Sequence, residues 1–310
     1  MACWGGDHRH KLMATSSPDS SKPVFRFAPS PNGQLHLGHA LSALTNERMA
    51  ERFGGSLLLR IEDIDLTRCR PEFEQAIHDD LTWLGIRLDG AVRRQSEHFD
   101  DYRAVLGRLQ AKGLIYPCFC SRQKVKQAVA AKEAESGQPW PRDPDGSPVY
   151  PGTCRSLSRQ EAEARIAAGE AHVLRLAMDR ALAMIGSDVW YRLFDESGTE
   201  TVIKARPTRW GDVVLARKDV PTSYHLSVVI DDAIQRVSHV VRGRDLEAAT
   251  DIHAVLQRLL GLPAPRYHFH RLLIDETGQK LAKSRLSESL ADLRARGVTA
   301  AEVRAQLGFT

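Results

Sequence analysis

Apolar positions recur along this chain with two periods. Val24 to Phe27 is a short β-prone run closed by Pro29 and Pro31, and Leu37, Leu41 and Leu44 follow at helical spacing, which predicts a strand, a loop and a helix. Ser56 to Ile61 is mostly apolar between Gly54-Gly55 and the acids Glu62, Asp63 and Asp65, the pattern of a buried parallel strand with carboxylates at its C-terminal end. Phe73, Ile77, Leu81 and Leu84 form a helical stripe stopped by Gly85. Ser96 is placed to cap a further helix carrying Phe99, Tyr102, Val105, Leu106 and Leu109 and ending at Gly113.

Residues 133 to 155 hold too many prolines and glycines for a regular element and read as a loop-rich insertion. Beyond it, His172 to Leu176, Val213 to Arg217, Leu226 to Ile230 and Val237 to Val241 are strand candidates, and Asp245 opens a helix bearing Ile252, Val255, Leu256, Leu259 and Leu260. Strands and helices that alternate on both sides of an irregular middle predict an α/β fold, a doubly wound parallel sheet split by an insertion. No internal repeat is visible.

Composition narrows the setting. The 310 residues are 42% hydrophobic and 26% charged, as in a soluble globular protein, and contain no apolar run near the ~18 residues of a membrane span. A formal charge of +4 with a pI of about 8.8 is compatible with a polyanionic partner and weakly favours RNA. Residues 1–22 are rich in Ser and His without a signal-like apolar stretch, so they are expected to be a disordered extension of a cytoplasmic protein. Five cysteines are too few and too uneven for a disulfide framework, which leaves Cys118, Cys120 and Cys154 as the set of interest.

The chemistry concentrates at the first predicted turn. A helix starting near Leu35 to Leu37 turns its free N–H groups and positive dipole end toward the preceding loop, a natural place for phosphate. His36 and His39 share one face of it, where two imidazoles can stabilise charge growing on an α-phosphate, and Gly33 and Gly38 allow close approach of a nucleotide. A bare His-x-x-His is more often an ordinary surface pair, so its surroundings decide. Arg26, Ala28, Pro29, Ser30, Pro31, Gly33, His36, Gly38 and His39 together resemble the ATP-binding segment of class I aminoacyl-tRNA synthetases of the glutamyl branch. Lys280-Leu281-Ala282-Lys283-Ser284, after Leu272, Leu273 and Ile274, resembles the second motif of that class, with Lys283 matching the lysine that contacts ATP and Lys280 beside it. Ala282 departs from the common pattern, but the lysines carry the charge that would offset the leaving pyrophosphate.

The same resemblance implies a glutamate site. Arg26, Phe27, Ala28, Pro29 and Ser30 would line it, Glu62 would receive the substrate ammonium, and Tyr224 and Arg242 match the other contacting positions. Two arginines and one acid suit an amino acid with two carboxylates and one ammonium, which favours glutamate over glutamine. Taken singly, Glu62 or Asp63 would as readily pair with Arg60 or Arg68, and Tyr224 would be half-buried packing. Cys118-Phe119-Cys120 supplies two thiolates, and Tyr150 and Cys154 can complete a closed tetrahedral zinc site; the family's Tyr-x-x-x-Cys stands here as Tyr150 to Cys154.

Only 26 residues follow Ser284, too few for the anticodon-binding domain of a full glutamyl-tRNA synthetase. The chain therefore looks most like the glutamyl-Q tRNA(Asp) synthetase family. That resemblance implies activation of L-glutamate with Mg2+-bound ATP and transfer to the queuosine base in the anticodon of tRNA(Asp), with no protein partner. It also implies a Rossmann-type core in two halves, 23–108 and 213–275, an insertion over 109–212 with a zinc site, and a lysine-motif loop with short helices over 276–310. The competing expectations are a truncated glutamyl-tRNA synthetase charging the 3′ end, a non-catalytic tRNA-binding paralogue and, remotely, a nucleotidyltransferase sharing the His-x-Gly-His loop.

Overall fold

The computed structural model describes residues 22–274 and 288–309. In chain order the elements are β1 (Val24–Phe27), α1 (Leu37–Arg52), β2 (Ser56–Ile61), α2 (Pro71–Trp83), β3 (Arg93–Arg94), α3 (Phe99–Ala111), β4 (Ile115–Cys118), α4 (Arg122–Ser136) and α5 (Arg159–Ala167). There follow β5 (Val173–Leu176), α6 (Met178–Ile185), β6 (Trp190–Phe194), β7 (Glu200–Lys204), β8 (Val214–Ala216), α7 (Tyr224–Ile234), β9 (His239–Gly243), α8 (Thr250–Leu260), β10 (Arg266–His270), α9 (Leu290–Ala295) and α10 (Ala300–Leu307). No helix among the described residues is long and apolar enough to cross a membrane.

β1, β2 and β3 form one parallel ladder; β9, β10 and β6 form another, with β7 antiparallel at its edge. The two ladders meet along β1 and the start of β9: Ser238 donates its N–H to the Val24 carbonyl at 3.0 Å and accepts the Val24 N–H on Oγ at 2.9 Å. The chain thus winds outward from β1 through β2 and β3, then returns to β9 on the other side of β1. A crevice at the carboxyl ends of strands where the order reverses is where open α/β sheets hold ligands.

Helices cover both faces. α1, α2, α9 and α10 enclose Phe25, Leu44, Leu59, Leu290 and Val303, while α3, α6, α7 and α8 enclose Tyr102, Leu215, Val240, Ile252 and Tyr267. β4, β5 and β8 make a separate antiparallel sheet. β6 and β7 lie within the span 109–212 yet pair with the main ladder, so that sheet draws strands from this span as well.

Three local expectations are corrected. Leu226 to Ile230 is helix, not strand: α7 is enclosed by α3, α8 and β8, so it is apolar nearly all round and its short β-branched run mimics a buried strand. Ser96 caps no helix; it lies in a 3-10 turn over Gln95–His98, and its N–H and Oγ bind the Asp63 carboxylate at 2.9 and 2.5 Å. Residues 133–136 are not part of the loop-rich stretch but continue α4, which stops at Gly137 with φ 65°, the first of the breakers.

Candidate active site

The histidine motif is a helix cap built from imidazoles. His36 is the N-cap of α1: its Nδ1 accepts the Gly38 N–H at 3.0 Å, and His39 Nδ1 accepts the His36 N–H at 3.2 Å. A capping side chain at this position satisfies N–H groups that the helix cannot. Because both Nδ1 atoms accept, each neutral ring carries its proton on Nε2. The rings lie 3.9 Å apart between centroids. Gly38 is required by this packing, since a Cβ there would come within 2.8 Å of His36 Cε1. The motif's N–H donors and the helix dipole together suit an anion.

The preceding loop is stitched to the end of β2. Pro29 and Pro31 carbonyls accept the N–H groups of Glu62 and Arg70, each at 3.0 Å. Phe27 is buried in the core, whereas Ala28 and Ser30 are partly exposed. After the undescribed residues the chain returns to the same place: Ser289 bridges His36, and Leu290 donates to the Leu35 carbonyl at 2.8 Å. Lys280 and Lys283 lie outside the described residues, as do residues 1–21.

A row of alternating charges crosses the crevice floor. Arg26 Nε and Arg60 Nη1 bind one oxygen of Asp232 at 3.3 and 2.7 Å, and Arg60 Nη2 reaches Glu62 Oε1 at 3.2 Å. Arg26 also donates to the Val241 carbonyl at 3.2 Å, which ties β1 to β9. Burial pushes Asp232 upward, but the two guanidinium groups outweigh it and hold the carboxylate below its ordinary range. For Glu62 burial wins over Arg60 and Arg26, and its pKa is raised. Both Arg60 contacts fall on Glu62 Oε1, so among the described residues Oε2 is the oxygen that can meet a ligand. Asp231, the neighbour of Asp232, separately receives Arg93, Gln95 and Tyr102 at 2.7 to 2.8 Å.

Arg242, at the end of β9, completes the crevice. Its Nη1 lies 3.4 Å from Tyr224 Oη at the start of α7 and 3.2 Å from His253 Nδ1, while Nη2 donates to Thr250 Oγ1 at 2.7 Å. Sequence reasoning singled out Arg26, Glu62, Tyr224 and Arg242 and named Arg60 as a partner of Glu62, a pair the structure contains; it missed Asp232, Thr250 and His253. The signal for Asp232 was present, an acid pair ending an apolar run, but reading that run as a strand concealed it.

In the smaller sheet, Cys118, Cys120 and Cys154 bring their sulfurs within 4.8 Å of one another. Tyr150 Oη lies 3.2 Å from Cys118 Sγ and 3.6 Å from Cys120 Sγ, and accepts the Cys154 N–H at 2.8 Å. Four zinc ligands at ~2.3 Å stand roughly 3.8 Å apart. The donor set and its burial therefore fit a closed tetrahedral zinc site.

Residues 23–305 match the family described as tRNA synthetases class I (E and Q), catalytic domain. The chain is 47% identical over 292 residues to a protein of Rhodobacter capsulatus named Glutamyl-Q tRNA(Asp) synthetase, covering 92% of this chain and 100% of that one. A protein of the same name from Symbiobacterium thermophilum is 38% identical, with 92% and 85% covered. Among solved structures, a glutamate tRNA ligase of Elizabethkingia meningosepticum in complex with its amino acid superposes with TM-score 0.67 at 27% identity. The match covers 85% of this chain and 52% of that one, so the chain spans about half the ligase's length.

Proposed function

The chain belongs to the class I tRNA synthetases of the E and Q type, and on that premise we propose that it joins L-glutamate to the queuosine base in the anticodon of tRNA(Asp), using ATP. The observation that carries this reading is the 47% identity to a glutamyl-Q tRNA(Asp) synthetase over that protein's whole length. The crevice chemistry supports it. Three guanidinium groups face two carboxylates there, an excess of one positive charge that matches glutamate with its two carboxylates and one ammonium.

In the first step a glutamate carboxylate oxygen attacks the α-phosphorus of ATP, a P–O bond forms and pyrophosphate leaves. His36 and His39 offer Nε2–H donors beside the N-terminus of α1, where negative charge grows on the α-phosphate. Lys280 and Lys283 would offset the leaving pyrophosphate, and Mg2+ would accompany the nucleotide. Glu62 would hold the ammonium, and Arg26, Tyr224 and Arg242 the carboxylates, so that the reacting oxygen is fixed in place. In the second step a hydroxyl of the queuosine cyclopentenediol attacks the acyl carbon and AMP departs. No side-chain nucleophile is needed. Zinc, held by Cys118, Cys120, Cys154 and Tyr150, would brace the smaller sheet without entering the reaction. A tRNA substrate is consistent with a cytoplasmic protein.

The alternative acceptor is the tRNA 3′ end, as in a glutamate tRNA ligase. Labelled glutamate is supplied with tRNA containing or lacking queuosine, and the 3′ terminal adenosine is then removed chemically. Label that stays on the tRNA and requires queuosine is the expected result. Label that leaves with the adenosine overturns the proposed acceptor.

A further inference from the structure

Arg26 and Arg242 are both buried, at 5% exposure each, yet they are neutralised differently. Arg26 has Asp232 within ion-pair distance. Arg242 has no carboxylate that close among the described residues; its hydrogen-bond partners there are the hydroxyls of Tyr224 and Thr250 and the ring of His253, and its guanidinium lies over the neutral rings of Tyr267 and Phe269. Among the described residues its Nε–H is buried without a hydrogen-bond partner. A buried cation held only by neutral groups is costly to the free protein and is compensated when an anion binds.

His253 is 2% exposed and stands three residues after Thr250 on α8, so the two present one face to Arg242. A guanidinium only donates, so His253 Nδ1 must be the acceptor and the ring proton must sit on Nε2. That Nε2 lies 3.3 Å from Nδ1 of His225, which then accepts in turn. The result is a directional chain from Arg242 through His253 to His225. Burial, followed by the Arg242 charge, holds both rings neutral, with His225 lowered to about 4 and His253 well below its ordinary value.

We infer that His253, backed by His225, is a positioning and specificity-determining residue for the substrate carboxylate that Arg242 receives. As a neutral acceptor it fixes the guanidinium without cancelling its charge, so the pocket retains an unmet demand for an anion at that point. An amide in place of the carboxylate leaves the demand unmet, and the pocket thereby rejects glutamine. The inference rests on the proposed glutamate activation.

The test compares His253→Gln, His253→Leu and His253→Glu in amino-acid-dependent ATP–pyrophosphate exchange with glutamate and glutamine. Gln keeps a neutral acceptor and is expected to hold the glutamate KM within about threefold. Leu removes the acceptor and raises that KM roughly tenfold or more, with the KM for ATP unchanged. Glu cancels the Arg242 charge, so glutamate preference over glutamine falls by about a hundredfold. Wild-type glutamate KM and preference in both His253→Leu and His253→Glu overturn the inference, as does a His253→Gln protein no better than His253→Leu. Should His253→Glu not fold, the Gln and Leu pair still decides. Absence of glutamate-dependent exchange in the unmodified protein overturns the function and the inference together, whereas exchange in the unmodified protein with unaffected variants overturns only the inference.

Discussion

Arg26 and Arg60 converge on a single oxygen of Asp232, from 3.3 and 2.7 Å, although they stand on neighbouring strands and the acid on a helix more than 170 residues later. One carboxylate thus fixes a pocket arginine on β1 and, through Arg60, the position of Glu62. The two opposite charges expected to grip an amino acid are set by the same buried group.

Asp232→Asn leaves two guanidinium groups side by side with no carboxylate between them. Breaking a buried pair in this way destabilises a protein by about 3 to 5 kcal/mol, and the retained amide oxygen places the expected loss near the lower end. The variant is also expected to raise the KM for glutamate in pyrophosphate exchange by at least about tenfold. Urea unfolding and exchange kinetics check the two effects; an unchanged unfolding midpoint would show that Asp232 is not the hub.

Gly38→Ala places a methyl group 2.8 Å from His36 Cε1 and 3.0 Å from His36 Nδ1, inside van der Waals contact. The ring must turn away, and the cap on α1 with it. Loss of a cap destabilises by about 1 kcal/mol. The catalytic effect should be larger, a fall in exchange kcat of roughly a hundredfold, since a displaced donor no longer meets the transition-state charge. Circular dichroism and exchange rates separate the small structural effect from the large catalytic one.

Much of this site was legible because its parts sit where pattern changes. His36 follows a strand and a proline-rich turn, Glu62 ends an apolar run, and Arg242 ends another, so each lies at a strand's carboxyl edge. Arg60 was legible only as a neighbour that could pair with Glu62; that it is fully buried and also binds Asp232 and Gln235, more than 170 residues away, was not. Leu226 to Ile230 misled for a related reason: a helix buried on nearly every side loses the alternation that distinguishes it from a strand. Long-range pairing was not visible at all. That β6 joins β10, and that Thr250 and His253 face Arg242, depends on which elements lie side by side.

The cysteine cluster predicts a metal content. Purified protein should contain about one zinc per chain by elemental analysis, and Cys154→Ser should reduce it, because a hydroxyl is a poor substitute for a thiolate ligand. Chelation should lower the melting temperature and expose the three thiols to a thiol reagent, since bound zinc shields sulfur as well as stabilising the fold. Metal-free protein with the same melting temperature as untreated protein would leave Cys118, Cys120 and Cys154 as a packed thiol cluster alone.

His239 predicts how stability depends on pH. Its ring stacks on Phe25 at 4.9 Å and meets Phe194 edge-on at 4.8 Å, and burial, then Arg266, lowers its pKa to about 4 against the opposing influence of Glu200. The unfolded chain takes up this proton near pH 6.5, while the folded protein resists it down to about pH 4. The unfolded state therefore binds more protons in that interval, so the contribution of His239 is complete above the unfolded value and is lost as pH falls toward the folded one. The slope approaches 1.4 kcal/mol per pH unit for one such group, or about twice that with His225, which is lowered similarly. His239→Phe suits the aromatic surroundings and removes one of these protons. Unfolding free energies measured from pH 7 to pH 4.5 should therefore fall less steeply in the variant, by roughly 1.4 kcal/mol per unit. Equal slopes in the two proteins would mean that the ring is already accessible to protons in the folded state.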